Sequence, residues 1–152
     1  MKPINALTHA GLLAASLQNG RERYRYFLHS AVAASVLWGL HDGEGWVSLT
    51  DRLGHCNLPV WPSPVCARLC ARGDWARCAV AGIDLHDFLE VWLSDMAALD
   101  VGVDVFATPL RHGFTVSARQ LREHLLAHLA DRSWEPPGDA GWQDISSHSG
   151  AS

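Results

Sequence analysis

The hydrophobic period of this chain switches from helical to two and back, twice, and turn residues mark each switch. Nothing else in the sequence restricts the fold as sharply. Tyr24, Phe27, Leu28, Ala31 and Ser35 recur at helical spacing, with Arg21, Glu22, Arg23 and Arg25 on the wet side. From Val36 the period is two: Val36, Trp38 and Leu40 alternate with Leu37, Gly39 and His41. Asp42-Gly43-Glu44-Gly45 turns, and Trp46-Val47-Ser48-Leu49 returns, a β-hairpin pattern. The same device recurs later. Val101, Val103 and Val105 alternate with Gly102, Asp104 and Phe106, Arg111-His112-Gly113 turns, and Phe114-Thr115-Val116 comes back.

Between the two hairpins the punctuation is helical. Leu58-Pro59-Val60-Trp61-Pro62 is extended, and its prolines, which lack an N–H, predict an edge position rather than a central strand. Ser63 is placed to cap a helix with Pro64 in its first turn and Gly73 past its end. Cys78 to Ile83 reads as a short strand. Asp84 then caps a helix carrying the apolar stripe Leu85, Phe88, Leu89, Trp92 and Met96. Ser117 and Gln120 form a capping-box pair before Leu121, Leu125 and Leu129. The order predicts an α+β fold: a small, mainly antiparallel sheet with helices packed on one face.

With 152 residues the chain fits one core, expected over residues 21–130. Residues 1–20 read as an N-terminal helical extension, with Leu7, Ala10, Leu13, Ala14 and Leu17 on one side and Asn19-Gly20 ending it. From Asp131 the periodicity stops, and residues 131–152 read as a flexible C-terminal tail. A net charge of −4 offers no clustered basic surface for a nucleic-acid backbone. No run approaches the ~20 apolar residues that span a bilayer. The start, Met1 to Ala15, resembles a signal peptide only weakly, because Thr8 and His9 break its apolar run. The expectation is a cytoplasmic domain with Cys56, Cys66, Cys70 and Cys78 reduced.

Several constellations invite chemistry and carry little of it. Cys66 and Cys70 share a helix face, but their spacing to Cys56 and Cys78 is not that of a zinc ribbon or finger. His124 and His128 stand one helix turn apart beside Glu123, without the His-Glu-x-x-His order of a metalloprotease. No metal and no cofactor are expected. Cys56 beside His55, with Asp51 near, is the nearest thing to a nucleophile, yet catalytic partners normally meet through the fold rather than as chain neighbours. Two features are less routine. No Lys or Arg stands between Arg77 and Arg111, while Asp84, Asp87, Glu90, Asp95, Asp100 and Asp104 all do. Asp87, Glu90 and Asp95 fall on or beside the wet face of the capped helix, where they either are merely solvated or dock a basic protein partner. Trp38, Trp46 and Trp61 lie in the strand segments, as core aromatics or as the wall of an apolar groove.

Val36-Leu37-Trp38-Gly39-Leu40, Gly45-Trp46-Val47, Pro59-Val60-Trp61-Pro62 and the run from Ile83 to Leu93 together resemble the bacterial domain-of-unknown-function family 2750. The resemblance covers roughly residues 21–130. It implies an early helix leading to a Trp-containing strand, a small hairpin, a Pro-x-Trp-Pro-like segment, a helix and a last strand pair, and it brings no activity with it. Two functions are expected from different classes. One is a non-enzymatic protein-binding module, by analogy an immunity or inhibitor protein, using the acidic helix face. The other is a small enzyme assembled from scattered His, Asp and Cys residues. The lack of a catalytic motif favours binding.

Overall fold

The computed structural model describes residues 19–137. The expected helical extension over residues 1–18 and the tail beyond Pro137, Trp142 included, lie outside the described residues. The first helix, α1 (Gly20–Ala34), starts where the Asn19 side chain accepts from the Arg21 N–H, and it ends at Ser35 in the left-handed region. Six strands and three more helices follow: β1 (Val36–His41), β2 (Leu49–Thr50), β3 (Cys56–Val60), α2 (Pro64–Leu69), β4 (Ala79–Asp84), α3 (residues 85–98), β5 (Gly102–Val105), β6 (Phe114–Val116) and α4 (Ala118–Ala130). The capping residues read from the sequence are in use. Ser63, Asp84 and Ser117 accept from the N–H groups of Cys66, Asp87 and Gln120.

Three of the four strand pairings are antiparallel: β1 with β4, β2 with β3, and β5 with β6. The pairing of β3 with β5 is parallel. Reciprocal hydrogen bonds between Trp38 and Trp61, 3.0 and 2.8 Å long, tie the β1–β4 ribbon to the end of β3. The first hairpin is shorter than its sequence pattern. Trp46 pairs only with His41, the Val47 N–H reaches the Leu40 carbonyl at 2.9 Å, and the chain then leaves β1 to form β2 against β3. The long partner of β1 is β4.

The proline-bearing segment is central, not an edge. β3 lies between β5 on one side and both β2 and β1 on the other. The Val60 carbonyl accepts from Phe106 of the loop after β5, whereas Trp61 bonds Trp38. Strand alternation therefore turns the Pro59 nitrogen toward the second edge, into the gap between the Leu49–Asn57 pair and the Trp38–Trp61 bridge. No N–H is needed there, so proline is tolerated inside the sheet.

Helices α1, α3 and α4 cover one face. Tyr24, Phe27 and Leu28 of α1, Phe88 and Leu93 of α3, and Leu121 and Leu125 of α4 are buried with Val60, Val103, Val105 and Val116 of the strands. Helix α3 contains a π turn over Phe88–Trp92, closed by the Leu93 N–H on the Phe88 carbonyl. The extra residue brings Leu93 into the core and leaves Trp92 half-buried against Trp46, ring centroids 5.2 Å apart. A strictly α-helical stripe read from the sequence misses that exchange.

Two expectations about polar residues change. Arg23 is not wet: it is 3% exposed, its Nε donating to the Phe106 carbonyl (3.0 Å) and its Nη2 to that of His112 (3.2 Å). Over residues 131–137 the chain does not leave the domain either. Trp134 packs on the His124 ring, and its carbonyl accepts from His128 Nδ1 (3.2 Å). Glu135 takes hydrogen bonds from Arg25 Nε (3.0 Å) and His29 Nε2 (2.9 Å), so this stretch straps α1 to α4.

Candidate ligand-binding groove

The sheet face opposite α1, α3 and α4 carries the polar chemistry. Val103 and Val105 point into the core, so Gly102 and Asp104 point away. The register places Asn57 beside Gly102, Pro59 and Thr115 beside Asp104, and Leu49 beside Asn57 on that same face. Three clefts of about 400 to 440 Å³ open over these residues. The first and second share Asp51, Leu53, Asn57 and Thr115, and the second and third share Leu49 and His112. Together they make one groove, of the size that small-molecule sites have.

Two glycines make room for its polar floor. A Cβ on Gly102 would collide with the Asn57 Oδ1, and one on Gly113 would stand 2.6 Å from Asp104 Oδ2. Asn57 is 9% and Asp104 5% exposed.

The walls are two loops held in shape by their own hydrogen bonds. In the loop after β2, Asp51 Oδ1 accepts from the N–H groups of Leu53 and His55, both at 2.9 Å, and Oδ2 faces His55 Nδ1 at 3.3 Å. Those bonds, the one from the His55 backbone first, hold the Asp51 carboxyl below its ordinary range. The opposite wall begins at Phe106, a buried residue at φ 58°, which turns the chain out of β5. The fold restrains that turn at several atoms. Arg23 takes the Phe106 carbonyl, Trp61 Nε1 (3.0 Å) and Cys70 Sγ (3.3 Å) both donate to that of Ala107, and Thr108 and Arg111 bond each other's backbone. Burial pushes the Cys70 thiol up to about 11, which suits a structural donor and not a nucleophile.

Asp104 is the unusual group. Its Oδ2 is buried and has no hydrogen-bond partner in the structure. Burial raises its pKa above the ordinary carboxylate range; the charges of His112 and Arg23 and the Gly113 backbone oppose that rise without cancelling it. Arg23 in turn is lowered by burial and by Arg111, and Asp104 acts against this. The cleft over Asp104 is edged by Arg72, Arg111 and His112, with Trp75 forming part of its wall.

The residues singled out from the sequence are dispersed. Asp87, Glu90 and Asp95 are all exposed on α3, on the side away from the core. Trp61 is fully buried, while Trp38 and Trp46 are half-buried on opposite faces of the β1–β4 ribbon. Trp38 lies over Gly82, and Trp46 over Gly39. None of these three tryptophans lines the groove; Trp75 does. Cys56 falls on the opposite face of β3 from Asn57, away from the His55–Asp51 pair that lines the groove. His124 accepts or donates at 2.7 Å with the Tyr24 hydroxyl, and His128 with Trp134, which makes them packing histidines. Burial lowers the pKa of His124 and so favours its neutral form. Among the described residues, no three His, Cys, Asp or Glu side chains are placed to hold one metal ion. No described helix is long and apolar enough to cross a membrane.

The groove itself was missed by sequence reasoning. Asp104 stood in the sequence as one member of an acidic run. It sits in the outward register of a Val-rich strand, where the pattern alone predicts a solvated carboxylate, and only the loops folded over that face bury it.

Fold and groove define a class: an α+β domain whose mixed sheet is roofed by three helices on one face and carries a polar groove, walled mainly by loops, on the other. The family model described as Protein of unknown function (DUF2750) matches residues 24–125, more than half of the chain, and the chain belongs to that family. No curated protein and no solved structure matches it.

Proposed function

We propose that this chain is a binding domain that takes a small ligand in the groove on its open sheet face, with Asp104 as the recognition group. The observation that carries this is Asp104, which lines a cleft of about 400 Å³ while its Oδ2 is buried without a partner. Buried polar atoms are normally satisfied, and a carboxylate held out of water without a bond is expected where a ligand completes it. Retained-ligand mass spectrometry tests this, comparing gently purified wild type with Asp104→Asn. A small molecule carried by the wild type and absent from the variant is expected; identical profiles sink the reading.

A second reading concerns α3. Val91 is 54% exposed and sits among Asp87, Glu90 and Asp95, an apolar contact ringed by acids. That composition suits docking of a basic protein partner, as an immunity or inhibitor domain would require. Reversing the three charges is expected to leave folding intact, and to slow association and weaken its salt dependence. Association unchanged in rate and salt dependence rules the face out.

A further inference from the structure

The chemistry at the Asp104 end of the groove restricts what can bind there, given the reading of the groove as a binding site. An ionised carboxylate only accepts hydrogen bonds, so the group that meets it must donate. Arg23 stands nearby, but it is committed to the carbonyls of Phe106 and His112. A neutral donor would satisfy the geometry; a cationic donor would also offset the part of the buried charge that Arg23 and His112 leave uncompensated.

The rim has the opposite preference. Arg72 and Arg111 are exposed at the mouth of the cleft, and among the described residues neither guanidinium has a hydrogen bond or an ion pair. His112 stands with them. A ligand that is only cationic would reach Asp104 past two guanidinium groups that repel it. One that is only anionic would pair with the rim and push its charge against Asp104. A molecule with both charges separated by a short frame meets neither obstacle. Guanidinium is also the side chain best shaped for a carboxylate, through two parallel N–H donors. Trp75, braced edge-on by Trp61 with ring centroids 6.3 Å apart, offers an apolar wall for the rest of the ligand.

We infer that the groove binds a small zwitterion of the amino-acid class, its ammonium on Asp104, its carboxylate on Arg111 and Arg72, and its side chain along Trp75.

Titration calorimetry of the full chain provides the test. The probes are the proteinogenic amino acids and, for any that binds, two analogues: the amine lacking the carboxylate and the acid lacking the amine. Guanosine monophosphate is a further probe, because it combines an anion with neutral donors that a carboxylate can accept from. At least one amino acid is expected to bind saturably. Each analogue should lose about ten- to a hundredfold in affinity, the worth of one charge-assisted contact. Asp104→Asn should weaken the amino acid by a similar factor and leave the acid analogue bound at least as well as before, while Arg111→Ala, at an exposed position, should weaken the acid and leave the amine bound at least as well. If the nucleotide, the amine or the acid binds as tightly as every amino acid, the zwitterion is overturned and the groove survives as a site. Binding that is indifferent to both substitutions, with amide shifts away from residues 102–115, overturns the groove as well. No binding by any amino acid also overturns the inference, and the retained-ligand comparison then decides the groove by itself.

Discussion

Replacing Asp104 by Asn should make this protein more stable at neutral pH, although it removes the group on which the proposed function rests. The carboxyl is 5% exposed and one of its oxygens has no partner, so ionisation there costs free energy that an amide avoids. The sign follows from its raised pKa. An unfolded Asp titrates near about 3.9, and the folded group titrates higher because it is buried. Between those two values the folded chain holds a proton that the unfolded chain has released, so stability falls as pH rises through the window. Above the folded value the penalty is constant; below the unfolded value it is gone. Leaving a buried polar group unpaired costs about 1–3 kcal/mol. The Asn side chain keeps an unpaired oxygen, so a gain of about 1–2 kcal/mol is expected at neutral pH, a midpoint shift of about 1 M in urea. Urea denaturation of both proteins across pH reads this directly. The difference between the two curves isolates Asp104 from Asp42, Asp51, Asp131 and Glu135, whose depressed pKa values act in the opposite sense. The advantage should grow from nothing in acid to a plateau at neutral pH. A variant less stable than wild type at neutral pH would refute the reasoning, since it would make the carboxylate a structural partner of Arg23 and His112.

Further outcomes follow from packing. Gly39→Ala would put a methyl 3.1 Å from two Trp46 ring atoms and should cost about 1–3 kcal/mol with a changed near-UV signal, whereas Gly45→Ala meets nothing within 4 Å and should melt like wild type. Trp134→Ala removes a half-buried ring from His124 and should lower stability by about 1–3 kcal/mol in thermal melts; no change would mean that the strap does not hold. Phe88→Ala, at 0% exposure, should cost about 3–5 kcal/mol in urea denaturation, and Val91→Ala, three residues along the same helix, within about 0.5 kcal/mol.

What the sequence made legible is what the chain decides locally. Ser63, Asp84 and Ser117 act within three residues of themselves, so their helices were readable. The β5–β6 hairpin was readable for the same reason: its turn and both strands are contiguous. The first hairpin was only half readable, because β1 chooses β4, some forty residues on, over the segment that follows its own turn. Arg23 looked wet within its basic run because the carbonyls that bury it are 83 and 89 residues away. The groove was illegible on the same ground. Its walls are the loop holding Asp51 and the loop holding His112, and only the parallel pairing of β3 with β5 brings them to one face. Parallel pairing leaves no turn signal between its strands.

Pro59 has a further consequence for how the sheet assembles. Three strands compete for β3, and a strand of alternating apolar residues pairs almost as well two residues out of step, since a shift of two keeps every side chain on its proper face. In such a slip of β3 along β1, Pro59 would take the place of Trp61 opposite Trp38. The 2.8 Å bond from the Trp61 N–H would then have no donor, and the indole would lose its anchor on the Ala107 carbonyl. One missing hydrogen therefore separates the correct alignment from its nearest rival, and the loop that walls the groove is set in place by that same alignment.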